Sequence, residues 1–198
     1  MVFRVVLFSL LLSFVFSTKY YSPEGDTTEG SASLVQMPIL CPPGSVLLGF
    51  SLEDGTSQGS LRFGYDCYES ELIDLKGEKV MYTEWKETDT QIMWLDQHLM
   101  ECEEGYVLRG FQMEKIKTEV GRFRYNCYPM KTEECQRSLP VSTGWYEIDG
   151  TISSLKSATV KNFCENCPLK GVQMFMKKTE SKNYNSWRYE WCLVRDEF

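Results

Sequence analysis

Eight cysteines and one histidine are the residues whose types could do chemistry in this chain. Thiolates bind metal, exchange disulfides or act as nucleophiles, and each role needs its own surroundings. Cys164-Glu165-Asn166-Cys167 has the C-x-x-C spacing of a zinc or redox site. It has no second such pair to complete a tetrahedral site, and His98 is the sole imidazole. Structural disulfides are the preferred reading. His98 stands between Gln97 and Leu99 in a connector and is read as a surface or interface histidine. No Gly-rich phosphate loop and no Gly-x-Ser-x-Gly elbow occurs. Glu103-Glu104 and Glu133-Glu134 are adjacent, and adjacent residues on a strand face opposite ways. No enzymatic activity, cofactor or metal is therefore expected.

The cysteines fall into a pattern that occurs three times. It runs Cys41…Gly49-Phe50…Phe63-Gly64-Tyr65-Asp66-Cys67, then Cys102…Gly110-Phe111…Phe123-Arg124-Tyr125-Asn126-Cys127, then Cys164…Gly171-Val172…Trp187-Arg188-Tyr189-Glu190-Trp191-Cys192. The period is about 61 residues, the length of a structural repeat. Pairing the opening and closing cysteine of each unit gives Cys41–Cys67, Cys102–Cys127 and Cys164–Cys192, and leaves Cys135 for Cys167. Cys167–Cys192 with Cys135–Cys164 stays open as the rival. Each such loop contributes roughly 3–4 kcal/mol in the chain-entropy model.

Around these cysteines the apolar residues alternate. Val46, Leu48, Phe50 and Leu52 share one phase, and Phe63, Tyr65 and Cys67 another. Val107, Arg109, Phe111 and Met113, then Phe123, Tyr125 and Cys127, do the same in the second unit. Period two predicts strands. The polar stretch Glu53 to Ser60, with its Asp-Gly dipeptide, predicts a loop between them, and Pro42-Pro43-Gly44 predicts a turn. The glycine before each apolar residue (Gly49, Gly110, Gly171) predicts a bulge or a close backbone approach. Trp85-Lys86-Glu87-Thr88-Asp89 returns as Trp145-Tyr146-Glu147-Ile148-Asp149 in the next connector. Gln91 to Glu101 is the one stretch read as a short helix. The fold class is all-β: three disulfide-stapled β repeats of about 61 residues, packed in one compact pseudo-threefold domain, since a single unit is too small to bury its own core.

The N-terminus supplies the compartment. Arg4 precedes the apolar run from Val5 to Phe16, and residues 1–17 read as a signal peptide cleaved after Ser17. The run is shorter than the ~20 residues of a membrane span. Residues 18–38 are rich in Gly, Ser and Thr and are expected to be a flexible leader, with the three-repeat domain at 39–198. The end at Arg195-Asp196-Glu197-Phe198 reads as neither lipid-anchor tail nor retention signal. The chain carries a net charge of −7, and loses one cation more if Arg4 is removed. That acidity argues against nucleic acid and against charge-driven adhesion to anionic membranes.

The closing motifs Phe63-x-Tyr65-x-Cys67, Phe123-x-Tyr125-x-Cys127 and Trp187-x-Tyr189-x-x-Cys192 resemble those of the dermatopontin family, small secreted disulfide-looped matrix proteins that include an invertebrate haemagglutinin/amoebocyte aggregation factor. The third unit of that family likewise has one extra residue before its cysteine. Gly105-Tyr106-Val107-Leu108-Arg109-Gly110-Phe111-Gln112 is similar to the family's second unit, and the resemblance covers about Cys41 to Cys192. Ser60-Leu61-Arg62-Phe63, Val120-Gly121-Arg122-Phe123 and Tyr184-Asn185-Ser186-Trp187 stand where the family carries Asp-Arg-Glu/Gln-Trp.

The resemblance implies a secreted, non-enzymatic extracellular matrix or cell-adhesion protein that binds matrix protein or glycan. A soluble lectin or agglutinin is the alternative. Two sets of residues are candidates for binding. The aromatic pairs Phe63/Tyr65, Phe123/Tyr125 and Trp187/Tyr189 are expected in the core, with sugar stacking as their functional alternative. Loop tips carrying Lys115, Lys117, Lys177, Lys178 and Lys182 form basic spots suited to sulfated glycans or phosphates. The oligomeric state is left open. Non-reducing peptide mapping is expected to link Cys41 to Cys67, and a link from Cys41 to any other cysteine would overturn the unit boundaries.

Overall fold

The computed structural model describes residues 17–87, 92–117, 120–131, 138–149, 151–161 and 167–192. The described residues begin with strands β1 (Ser17–Tyr21) and β2 (Gly25–Asp26), a 3-10 helix over Thr27–Ala32 and the short helix α1 (Ser33–Gln36). β3 (Ile39–Leu40) leads into the hairpin β4 (Ser45–Asp54) and β5 (Ser60–Glu69). Then come β6 (Lys79–Tyr82), β7 (Lys86–Glu87), a 3-10 helix over Ile92–Gln97, β8 (Leu99–Glu101), and the hairpin β9 (Tyr106–Lys117) and β10 (Val120–Pro129). The last stretch has β11 (Ser138–Ser142), β12 (Tyr146–Ile148), a 3-10 helix over Ile152–Ser157, and the hairpin β13 (Leu169–Lys178) and β14 (Asn183–Cys192). The protein is mostly β, in three antiparallel sheets.

Each sheet is built on one hairpin. β1 and β2 both pair β5, β6 and β7 both pair β10, and β11 and β12 both pair β14. The residue right after β1, β6 and β11 is in each case a hydroxyl residue. Ser22 Oγ, Thr83 Oγ1 and Thr143 Oγ1 each accept the N–H of the ring residue opposite, Phe63, Phe123 and Trp187, at 2.9 Å. Their own N–H groups donate to the carbonyls of the same three residues. A side chain thus satisfies the backbone donor that the break between two strands would strand.

The segment before each opening cysteine leaves its own hairpin. β3 pairs β9, β8 pairs β13, and Val160 makes two backbone hydrogen bonds of 2.9 Å with Phe50 on β4. Each hairpin therefore receives a segment from elsewhere, a strand at β9 and β13 and a single bridge at Phe50. The receiving position is the expected glycine or its neighbour. The register slips between Leu47 and Gly49, at Leu108 and Gly110, and between Leu169 and Gly171, so that Leu48, Arg109 and Lys170 are bulged. The carbonyls of Arg109 and Lys170 accept the N–H of Cys41 and Cys102. A Cβ on Gly110 would lie 2.2 Å from Ile39 O and 2.7 Å from Leu40 Cα, and one on Gly171 would lie 3.0 Å from Met100 O. Bulge and close approach are both realised.

The inward faces meet in one core. Phe50 packs edge-to-face on Phe63, Phe111 and Trp187, with ring centroids 5.3–6.1 Å apart, and Phe111 meets Phe123 the same way. Such contacts add about 0.5–1.5 kcal/mol each beyond area burial. Ile39, Met100 and Val160 bring the incoming strands into the same core. Disulfides Cys41–Cys67 and Cys102–Cys127 tie two of the crossing segments to the closing strands of the hairpins they precede. Cys167 and Cys192 are also disulfide-bonded, and the pairings expected for them through Cys135 and Cys164 reach residues outside those described.

Two expectations need correction. Residues 18–38 are not a loose leader: β1 pairs β5 over Ser17–Tyr21, and Leu34 and Met37 are buried in the core. The strand is held by backbone pairing while its side chains are mostly exposed, so it shows no apolar alternation to read. Within Gln91 to Glu101 the described residues hold a 3-10 helix, Ile92–Gln97, followed by strand β8. Ile92 and Leu95 are both buried one 3-10 turn apart, so their spacing served a short 3-10 helix.

Gly110→Ala is expected to destabilise the oxidised protein by about 1–3 kcal/mol, because the added methyl meets backbone. Gly171→Ala, with its looser contacts, should cost less. Urea unfolding of the two variants checks the order.

Candidate functional site

The two sequence candidates fare differently in three dimensions. Phe63, Tyr65, Phe123, Tyr125, Trp187 and Tyr189 are all buried, at 5–7% exposure. Tyr65 and Tyr125 use their hydroxyls to donate to the carbonyls of Leu40 and Glu101 on the crossing strands. Burial raises the phenol pKa of both. These rings are core, and no sugar reaches their faces.

The lysines do not form one patch. Lys115 is half-buried, and burial lowers its pKa. Lys182 binds Glu147 at 2.6 Å, and that bond raises its pKa. The pair borders an open polar cleft of about 560 Å³ with Asp149, Ser154 and Asn183. Lys177 and Lys178 are exposed. The side chain of Lys117 lies outside the described residues.

The groups available to a partner lie on the outward phase of the same hairpins. On the β10 sheet, the Arg122 guanidinium lies 3.9 Å from the Tyr82 ring centroid and 4.3 Å from that of Trp85. Glu114, the cross-strand neighbour of Arg122, holds it at 2.9 Å. Tyr82 is 47% exposed and Trp85 36%. An arginine over two rings and pinned by a carboxylate has little rotamer freedom left to lose on binding. Arg124 stands beside this stack, in register with Tyr82 and Gln112.

The other two outward faces are variations on this one. On the β5 sheet, Arg62 lies 4.0 Å over Tyr21, and Lys19 bonds Glu53 at 2.7 Å. Asp66 on that face has its pKa raised, chiefly by burial. On the β14 sheet, Gly171 floors a hollow of about 110 Å³ lined by Leu99, Glu101, Gln173, Arg188 and Glu190. At the β4–β5 loop, Glu24 accepts hydrogen bonds from Ser60 Oγ and from the hydroxyl and N–H of Thr56. These hold its pKa at about 2.

None of the outward residues was singled out from the sequence as a binding group. The signal was there in the phase: Arg62, Arg122 and Arg124 alternate with the buried rings, so they must face solvent if the rings face the core. Tyr82 and Trp85 lie on separate short elements, and only β6 and β7 pairing with β10 brings them to Arg122.

His98 corrects its expected place. It is 1% exposed, lies edge-on to Phe123, and shares a 2.8 Å hydrogen bond with Thr83 Oγ1 through Nδ1. Thr83 Oγ1 already accepts from Phe123 N–H. Thr83 Oγ1 thus links the Phe123 backbone to the His98 ring. The flanking Leu99 is 47% exposed, and the sequence offers no sign that His98 turns the other way.

No protein-family model matches the chain, and neither a curated protein nor a solved structure matches it. No helix among the described residues is long and apolar enough to cross a membrane.

Burial, and secondarily the Lys86 charge, lowers the His98 pKa from 6.5 to about 4. The unfolded chain then takes up the proton first as pH falls. The stability that neutral His98 contributes is complete above about pH 6.5, declines as pH drops toward 4, and changes no further below that. In that window His98→Gln is expected to unfold with a pH slope shallower by up to about one proton than the parent. Urea midpoints at a series of pH values measure it.

Proposed function

We infer that the protein is a secreted, non-enzymatic binding protein of extracellular matrix or cell surface, exported on residues 1–17. Its scaffold is three repeats in pseudo-threefold arrangement, each passing its pre-cysteine strand to another hairpin. The dermatopontin-like closing motifs support this reading, as do the disulfides, which are compatible with an extracellular setting.

The observation that carries the binding role is the Tyr82–Arg122–Trp85 stack, exposed and held by Glu114. Tyr, Trp and Arg are the residue types that dominate binding hot spots. This face presents two rings and two arginines together. The expected partner is a matrix protein or glycan that lies across the β6–β10 face.

Binding of the purified protein to an array of matrix proteins, neutral glycans and glycosaminoglycans, at low and high salt, tests the reading. Binding that Trp85→Ala removes, with melting unchanged, is the expected result. Binding of neutral sugars that free monosaccharide abolishes would favour the agglutinin. Turnover of any arrayed substrate would overturn the non-enzymatic reading.

A further inference from the structure

Arg124 is the cation that the β6–β10 face leaves unmatched. Beside it Arg122 is bound by Glu114, its cross-strand neighbour. Arg124 makes no ion pair among the described residues, and its Nε is buried without a hydrogen-bond partner. Arg124 itself is half-buried, and a carboxylate is the group that best matches a guanidinium with no ion pair. Gln112, its neighbour on one side, is already committed through Nε2 to the carbonyl of Val35. Tyr82, its neighbour on the other side, leaves nearly half its surface in solvent.

The strand carrying Tyr82 has a second property. The sheet runs β3-β9-β10-β6, so β6 pairs β10 on one side and no described strand on the other. Its outward residues are Val80 and Tyr82, at 43% and 47% exposure. A free strand edge with two exposed apolar side chains two residues apart fits an extended chain, which offers backbone groups and side chains at the same period.

We propose that the β6 edge and Arg124 form a docking site for an extended acidic segment of a partner protein. The segment adds to β6 as a further antiparallel or parallel strand. Its apolar residues cover Val80 and Tyr82, and one carboxylate reaches across β6 to Arg124. That reach is about two strand spacings, ~10 Å, which a glutamate and an arginine span together. The surplus charge of Arg124 selects acidic over basic segments, and the backbone edge selects a polypeptide over a glycan. The site deepens the binding function inferred above and rests on it.

The probe is a short fluorescent peptide of alternating Glu and Val, read by anisotropy against the full-length protein. It should bind, and the matching Lys-Val peptide should not. Arg124→Gln should weaken binding about tenfold or more. A Glu-Val peptide N-methylated on alternate residues, unable to pair along β6, should lose binding. Arg124→Glu should exchange preference to the Lys-Val peptide, which only a folded variant can do. Equal binding to Arg124→Gln, undiminished binding of the methylated peptide, or no binding of the Glu-Val peptide would each overturn the proposal. So would Arg124-dependent binding of hyaluronan fragments in place of peptide. In the first three cases array binding that persists in Arg124→Gln leaves the wider binding function standing.

Discussion

Gly110 lies so close to the incoming strand that a single methyl group would strike the Ile39 carbonyl at 2.2 Å. That approach is the constraint on which the other contacts depend. It lets β3 pair β9 across a bulge, and the bulged Arg109 carbonyl takes the Cys41 N–H. The same arrangement serves β8 against β13, with Gly171 and Lys170 in those roles. Without the crossings each hairpin would carry an open edge and a half-covered apolar face. With them the hairpins are stitched by backbone, and Phe50 can gather Phe63, Phe111 and Trp187 around itself.

The covalent links reinforce that stitching. Cys41 and Cys102 directly follow crossing strands, and their disulfides fasten each crossing segment to its own closing strand. A crossing strand is thus held by one hairpin through sulfur and by another through backbone. Ser22, Thr83 and Thr143 complete the frame by satisfying the N–H groups of the rings they face. At Thr83 the frame extends to His98, so a titratable group sits beneath the strand break between Tyr82 and Trp85.

Core and surface divide the aromatic residues by strand phase. One phase carries the rings that pack at the centre. The other carries Arg62, Arg122, Arg124 and Arg188; Arg62 and Arg122 meet rings from neighbouring segments, and Arg188 meets a carboxylate of its own strand. The three outward faces share a layout and differ in content: a Tyr–Arg pair with a Lys–Glu bond, a Tyr–Arg–Trp stack, and a hollow over glycine. The scaffold can therefore be held constant while its faces diverge, because an outward side chain on a strand changes with little effect on the core.

Much of the fold was legible. Period-two alternation marked the first two hairpins and the repeat implied the third, Pro42-Pro43-Gly44 gave a turn with Gly44 at φ +91°, and Gly110 and Gly171 marked the close approaches. The cysteine spacing identified Cys41–Cys67 and Cys102–Cys127. β1 was not legible, because its order comes from backbone bonds to β5, which any sequence without proline can make. The burial of His98 was not legible either: one polar residue between Gln97 and an exposed Leu99 has no pattern of its own. By itself the sequence determined local conformation, phase and the cysteine frame, since these depend on neighbours along the chain. Only the tertiary structure decided which hairpin each crossing strand joins and that Tyr82, Trp85 and Arg122 meet, since those contacts link residues some 40 positions apart through backbone pairings that carry no side-chain signature.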